Sequence, residues 1–423
     1  MKVEFRRISI GWGIVWLLAI LGAVLILYRF AMGLGAVTNL SDGYPWGIWI
    51  GFDILAGIAL AAGGFVMAGT VHLFGGRKFH ALARPAVLTG FLGYLLFIGG
   101  LMVDLGRPWN LWKAMISWNH ASPMFEVAWC VMMYTFVLFL EFLPAVFERF
   151  HLEKLHSWWK SLVPWLIVVM LGLFTLAMTY SVGWMLAMVI VLLLWEILMR
   201  AGIMPRDAQM PILLIMAGVI FSTLHQSSLG SLFLIMPHKL HALWFSPILP
   251  LLFFVSAVMV APAMVIFESL MSERTLGHKA RFDLLKELAK AMPYLLGLYL
   301  LLKVADLFVR GAMIEAIKFN AQAVSWWLEV SIGIVAPLVL FMSPAAKRSR
   351  GRLLWGSVLV VGGLIWNRTN VAVVGIIVRE WKTYYPYWAE VFITLGLFSI
   401  GLILFSWAVK NLSVYEHEEA SAA

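Results

Sequence analysis

The sequence predicts an all-α polytopic membrane protein with ten to twelve transmembrane helices, and three observations carry that reading. Of its 423 residues, 62% are hydrophobic and 13% charged, with a mean hydropathy of +0.92, far from the composition of a soluble domain. Apolar stretches of about the 20 residues that a bilayer demands recur along the whole chain. Lys and Arg gather in alternate connections between those stretches, the pattern of membrane orientation.

The candidate spans are 9–35, 46–74, 85–106, 123–147, 161–180, 182–201, 209–236, 246–270, 288–311, 322–343, 352–376 and 387–411. The fifth and sixth are joined only by Ser181, Val182 and Gly183, so they form either a full hairpin or shorter pieces that do not both cross. Lys2, Arg6 and Arg7 precede an apolar run too long for a signal peptide and without a small-residue cleavage site, which predicts a retained first helix. Of the 31 Lys and Arg, 21 fall on the side of the termini and six on the other, which places both termini in the cytoplasm of a bacterial inner membrane. Removing a hairpin would not change that parity. Arg29, Lys303, Arg310 and Arg368 remain inside spans or at their ends.

The net charge of +9 is accounted for by this topology and calls for no nucleic-acid partner; membrane lipid is the medium. Trp46, Trp49, Trp109, Trp112, Trp118, Trp244, Trp381, Tyr384, Tyr385, Tyr387 and Trp388 lie in or beside the outer connections and read as an interfacial aromatic belt. Gly57, Ala61, Gly64 and Ala68 recur at helical spacing and predict close helix approach. The single cysteine, Cys130, excludes an intrachain disulfide and a cysteine-ligated cluster in this chain. Connections are too short for a soluble catalytic domain, so chemistry on water-soluble substrates falls to another chain. No phosphate-binding loop, dinucleotide fingerprint or zincin motif is present.

Ionisable groups at membrane depth are costly and mark candidate sites. Asp42 and Tyr44 precede the second span, Asp104 and Arg107 end the third, Glu126 opens the fourth, and His225 with Gln226, Ser227 and Ser228 occupies the 209–236 span, all toward the outer side. Asp53 follows Trp46 by seven residues, which on an α-helical rise puts it roughly 10 Å deeper. Carboxylates, an imidazole and hydroxyls in one leaflet suit a quinone, whose two carbonyl oxygens accept hydrogen bonds and which takes up two protons on reduction. His225 is the first choice for the carbonyl partner, because a neutral imidazole donates from one nitrogen and accepts at the other. Each group has a plainer reading: His225 as a packing histidine, Asp104 with Arg107 as an ion pair, Glu126 as a first-turn acid favoured by the helix dipole.

Toward the cytoplasmic side, His72, Glu141, Glu196 and Glu268 either admit protons or simply end helices in the headgroup region. Asp306 with Arg310, Glu329, and Asn367 with Arg368 form a second polar set, read as a structural ion-pair network. Paired haem-ligating histidines are not expected: His72 and His225 lie near opposite faces, and His80, His120, His151, His156, His238, His241, His278 and His417 fall in connections or the tail.

The run Tyr44-Pro45-Trp46-Gly47 followed by Asp53, the helix end Asp104-Leu105-Gly106-Arg107, the Glu126 span, and Leu224-His225-Gln226-Ser227-Ser228-Leu229-Gly230-Ser231-Leu232 together resemble the polysulfide-reductase membrane subunit family (NrfD/PsrC type), in its HybB-like branch. The extra 161–201 hairpin looks more like the sulfate-reducer members. The resemblance implies a single membrane domain over 1–423, with two four-helix bundles, within 46–236 and 246–376, flanked by peripheral helices 9–35 and 387–411. It implies menaquinone bound near the periplasmic face, and neither haem nor iron-sulfur cluster in this chain. The implied partners are an iron-sulfur subunit, a molybdopterin-oxidoreductase-like subunit and a multihaem cytochrome c, and the implied activity is that of a menaquinone reductase-type complex rather than of this chain alone.

The resulting expectation is electron delivery to menaquinone with proton uptake, electrogenic if protons come from the cytoplasm. Catalytic roles fall to His225, Asp104, Glu126 and Asp53, quinone contacts to His225, Gln226, Ser228, Arg107, Tyr44 and Trp46, and the proton path to His72, Glu141 and Glu268; no metal site is expected. A proton-coupled transporter and a passive anchor for an oxidoreductase are the rival readings. The anchor predicts an outer polar cluster that is fully paired.

Overall fold

The computed structural model describes residues 10–44, 46–119, 121–203, 212–344, 348–377, 384–412 and 414. Pro45 of the second-span motif, His120, Trp381 and His417 lie outside them. Among the described residues, twelve helices are long and apolar enough to cross a membrane: α1 (Ile10–Met32), α2 (Trp49–His72), α3 (His80–Asp104), α4 (Pro123–Arg149), α5 (Glu153–Thr179), α6 (Val182–Arg200), α7 (Leu213–Leu234), α8 (Leu249–Leu276), α9 (Phe282–Val309), α10 (Ala321–Met342), α11 (Arg350–Val374) and α12 (Trp388–Asn411). No β-strand occurs among the described residues. The 161–201 segment is two helices, α5 and α6, and the range of ten to twelve resolves at its upper end.

Several helices begin earlier or end later than hydropathy alone marks. Polar first and last turns stay helical because acidic groups complement the positive helix start, as Glu153 does on α5 and Asp283 on α9. His80 and His156, expected in connections, lie on α3 and α5, of which only α5 has an acid in its first turn.

Helices α2, α3, α4 and α7 contact one another in a closed ring, and α8, α9, α10 and α11 form a second. The rings join where α8 packs on α7 and α2, and where α11 packs on the start of α2. Helix α12 lies against α1 and α3, α5 against α4 and α7, and α6 touches α5 with only Leu192 buried. Apart from the Glu196 and Arg200 pair at its end, this helix is apolar and leaves its face open to lipid.

Small residues set the closest approaches. A Cβ at Gly93 would meet that of Ala61 at 2.8 Å, and one at Gly64 would lie 3.3 Å from the Ala86 carbonyl, so the small face of α2 receives α3 as expected. A Cβ at Gly22 would sit 2.6 Å from the Gly396 Cα, a spacing that only two glycines permit. This crossing holds α1, and with it Arg29 two turns further on. Replacing Gly22 with leucine is therefore expected to part α1 from α12, lowering the melting temperature of the purified protein and its assembled yield; an unchanged melting curve would show that α1 is not held there.

Three stretches wind as wide, π-helical turns: Trp49–Ala56 in α2, Ser331–Val335 in α10 and Asn370–Val374 in α11. Such turns are rare and gather at functional sites. They lie in or beside the polar residues: Asp53 is inside the first, Glu329 precedes the second, and Asn367 and Arg368 precede the third. Because α2 begins at Trp49 and these turns rise less per residue, Asp53 lies about one turn into its helix, shallower than the α-helical reckoning from Trp46.

Candidate functional site

The centre of the first ring is built on α3 and α7. His225 is fully buried, and its Nδ1 lies 2.8 Å from the hydroxyl of Tyr94, which is also fully buried. Its ring packs against Tyr94 and, edge-on, Phe97, at centroid distances of 5.4 and 5.8 Å. With the phenol donating to Nδ1, the imidazole proton sits on Nε2. That nitrogen is buried and has no hydrogen-bond partner in the protein. Gln226 donates to the Ile58 carbonyl at 3.0 Å, while its own Oε1 is likewise buried and unpartnered. Buried polar atoms normally find partners, so each of these two orphans is an exception that calls for a reason.

The hydroxyls beside them are committed differently from the sequence expectation. Ser228 donates to the His225 carbonyl at 3.1 Å, and Ser227 to Thr223 and Leu224, each bond closing back on α7. Ser228 therefore has no free proton for a ligand, because a helical serine satisfies itself on the preceding turn.

Asp53 and Asp104 lie where α2 and α3 meet α12. Asp53 accepts from Thr394 at 2.8 Å. Asp104 Oδ1 is buried without a hydrogen-bond partner, and Arg107, beyond the helix end, is exposed. The cation beside Asp104 is instead Arg29 of α1, whose guanidinium donates to the carbonyls flanking that residue, Val103 at 2.6 Å and Leu105 at 2.5 Å. Arg29 is only 3% exposed, so a helix expected to be peripheral contributes a buried charge. Glu126 is half-buried on the first turn of α4. Asp42 is exposed.

Tyr44 is buried, stacked on Tyr384 at 4.9 Å, and donates to the Val373 carbonyl, which ties the segment before α2 to α11. Burial raises both phenol pKa values above the ordinary tyrosine range, with Glu390 adding to the effect on Tyr384, so both remain donors. Tyr384 donates to Glu390, a fully buried acid on α12 that also accepts from the backbone of Asn39 at 2.9 Å and of Tyr387 at 3.0 Å. Trp46 is half-buried, edge-on to Phe233 at 5.3 Å. The aromatic belt divides accordingly: Trp109, Trp112, Tyr385 and Trp388 are exposed, whereas Trp49 and Trp244 are packed inside with their indole N–H groups bonded to the Glu390 carbonyl and to Glu329.

Toward the other end of the ring, Glu268 of α8 accepts from Thr89 of α3 at 2.5 Å, and Glu141 of α4 is buried beside Gly218 of α7. His72 packs edge-on against His80, ring centroids 6.0 Å apart. Glu196 pairs with Arg200 on its own helix and takes no part.

The second polar set is a network around Glu329. Its carboxylate accepts from Lys303 at 2.5 Å, Asn367 at 2.9 Å, Asn370 at 2.8 Å and Trp244 at 3.0 Å. Asp306 pairs with Arg310 at 2.7 Å and accepts from Ser246 at 2.6 Å.

Sequence reasoning missed Tyr94, Glu390 and Thr394 and counted Arg29 only as a basic residue within a span. Tyr94, Phe97 and Asp104 share one face of α3 by their three- and seven-residue spacing, a signal available in the sequence. Nothing local marks Glu390, which looks like an ordinary first-turn acid.

These features define an all-α polytopic membrane protein with a buried imidazole in its first ring and buried carboxylates on the neighbouring helices. The model of the polysulphide reductase NrfD family matches residues 36–379, and the chain belongs to that family. It is 35% identical to a protein of Nitratidesulfovibrio vulgaris (strain Hildenborough) over 95% of this chain and 94% of the other. It is 29% identical to the probable Ni/Fe-hydrogenase 2 b-type cytochrome subunit of Escherichia coli K12, over 94% and 90%. It is 25% identical to the integral membrane subunit of menaquinone reductase, also of N. vulgaris, over 99% and 92%.

Proposed function

We propose that the chain is the quinone-handling membrane subunit of a respiratory oxidoreductase complex, taking electrons from an iron-sulfur partner and delivering them to menaquinone. The observation that carries the reading is the orphaned Nε2 of His225, held as a donor by Tyr94 and flanked by the orphaned Gln226 Oε1. A passive anchor needs a fully paired cluster, and these atoms with Asp104 Oδ1 oppose it. A proton-coupled transporter would share the spans and the buried acids, but similarity to hydrogenase and menaquinone reductase membrane subunits favours redox work.

In this reading His225 donates from Nε2 to one quinone carbonyl and Tyr94 fixes the ring and its tautomer. When bound, the quinone accepts two electrons and two protons. Asp104, Asp53 and Glu126 hand on protons at the Trp46 end, with Arg29 setting the charge beside Asp104 and Trp46 walling the entrance; Tyr44 braces that wall through Val373. Glu268 with Thr89, Glu141, and His72 with His80 supply the route from the opposite end, which positive-inside logic assigns to the cytoplasm. Uptake from that side with electrons arriving from the other makes turnover electrogenic. The iron-sulfur centres, and the molybdopterin-type and multihaem partners implied by the resemblance, belong to other subunits, and this chain is proposed to carry no haem.

The test is menaquinone-analogue reduction by the purified intact complex, with assembly and iron-sulfur content checked throughout. Asp104→Asn keeps shape and removes the titrating proton; a loss of about 100-fold in rate is expected, the usual worth of a general acid-base group. A wild-type rate in an assembled Asp104→Asn complex would remove Asp104 from the relay.

A further inference from the structure

Around the polar centre of the second ring the described cations outnumber the carboxylates, Lys303, Arg310 and Arg368 against Glu329 and Asp306, so that Glu329 acts on both Lys303 and Arg368. Lys303 pairs directly with Glu329 and Arg310 with Asp306. Arg368 of α11 is left over from direct pairing. It is 1% exposed, and its hydrogen bonds go only to neutral groups: Asn367 Oδ1 at 2.7 Å, Ser256 Oγ at 2.7 Å and the Phe253 carbonyl at 3.2 Å. Its guanidinium carbon lies 3.6 Å above the Phe253 ring, a favourable contact that disperses charge without neutralising it. Its Nε is buried and has no partner.

Arg368 lines a cavity of about 20 Å³, together with Trp244, Ser246, Lys303, Asp306 and Asn367. That volume is above the roughly 10–15 Å³ that one water requires and far below a quinone. Asp306, the one carboxylate on the wall, has Oδ2 held by Arg310 through two bonds and Oδ1 by Ser246, so it presents no free charge. A buried guanidinium in a low-dielectric interior is costly, and an anion beside it lifts that cost.

We propose that this cavity is a binding site for one small monovalent inorganic anion of halide size, held by Arg368 Nε and the Lys303 side of the wall. The anion balances the buried charge of the second ring and braces α8, α9 and α11 against one another. The site is independent of quinone binding in the first ring.

The experiment uses the purified intact complex with bromide replacing chloride, at concentrations no higher than physiological chloride. Anomalous diffraction locates bromide in wild-type crystals, and thermal melting is compared in bromide and in gluconate, which is too large for the cavity. The expected result is a bromide peak within hydrogen-bond distance of Arg368 Nε, with a higher melting temperature in bromide that Arg368→Met abolishes. Bromide found only on the surface overturns the proposal, as does a halide-dependent rise that persists in Arg368→Met. Should that variant fail to assemble, the wild-type crystal decides alone: bromide in the cavity upholds the site and an empty cavity rejects it.

Discussion

Replacing His225 with glutamine abolishes most menaquinone-analogue reduction, by about 100-fold or more, while the complex remains assembled with its iron-sulfur content intact. Glutamine is chosen beside alanine for a physical reason. His225 is fully buried, and truncation to alanine opens a cavity whose cost, about 2–5 kcal/mol for a large core side chain, would confound loss of chemistry with loss of structure. Tyr94→Phe gives the intermediate case: the ring stack survives, the hydroxyl that pins Nδ1 is lost, and the imidazole is free to carry its proton on either nitrogen. Its expected signature is weaker binding of a quinone analogue, measured by titration without turnover, together with a rate between those of wild type and His225→Gln. Full reduction by an assembled His225→Gln complex would move the quinone elsewhere and revive the anchor reading. A Tyr94→Phe complex that binds the analogue as wild type does would leave Tyr94 a packing residue.

The second large effect concerns the Glu329 network and is one of stability. Lys303→Met removes the only cation bonded directly, among the described residues, to a carboxylate that is 2% exposed, a change expected to cost about 3–5 kcal/mol. The outcome is poor assembly or a sharply lowered melting temperature. Lys303→Met combined with Glu329→Gln removes both charges and is expected to recover more than half of the loss, since Asn370 and Trp244 still find an amide oxygen at Glu329 Oε2. If the double variant is as damaged as the sum of the single ones, the pair is not coupled and the stability of this ring arises from its apolar packing. The same variants leave His225 and Asp104 untouched, so menaquinone reduction in any assembled fraction should persist.

Among the residues expected to serve the site, the structure sorts by what each polar atom already touches. His225 and Gln226 keep buried atoms free, whereas Ser228 is closed on its own helix and Tyr44 is committed to Val373. Arg107, close to Asp104 along the chain, turns out to be exposed, and Arg29, 75 residues away, takes its place. A helix face is readable from spacing within one span, which is why Tyr94 was within reach. Which partner comes from another span depends on how helices cross, as where Gly22 meets Gly396, and spacing along one helix says nothing of that.

By itself, the sequence determined that this protein lives in a bilayer, how many segments are long and apolar enough to cross it to within one hairpin, and that an imidazole and several acids lie within those segments. Hydropathy, charge asymmetry and desolvation cost are properties of single segments, and they act whatever the neighbours are. Only the tertiary structure decided that α5 and α6 are separate helices, that Arg29 and not Arg107 flanks Asp104, that Glu329 gathers four donors, and that Arg368 bonds directly to neutral groups alone. Those outcomes depend on contacts between residues far apart in the chain, and in a membrane such contacts are set by close packing and hydrogen bonds between helices, because lipid exerts no hydrophobic force to sort them.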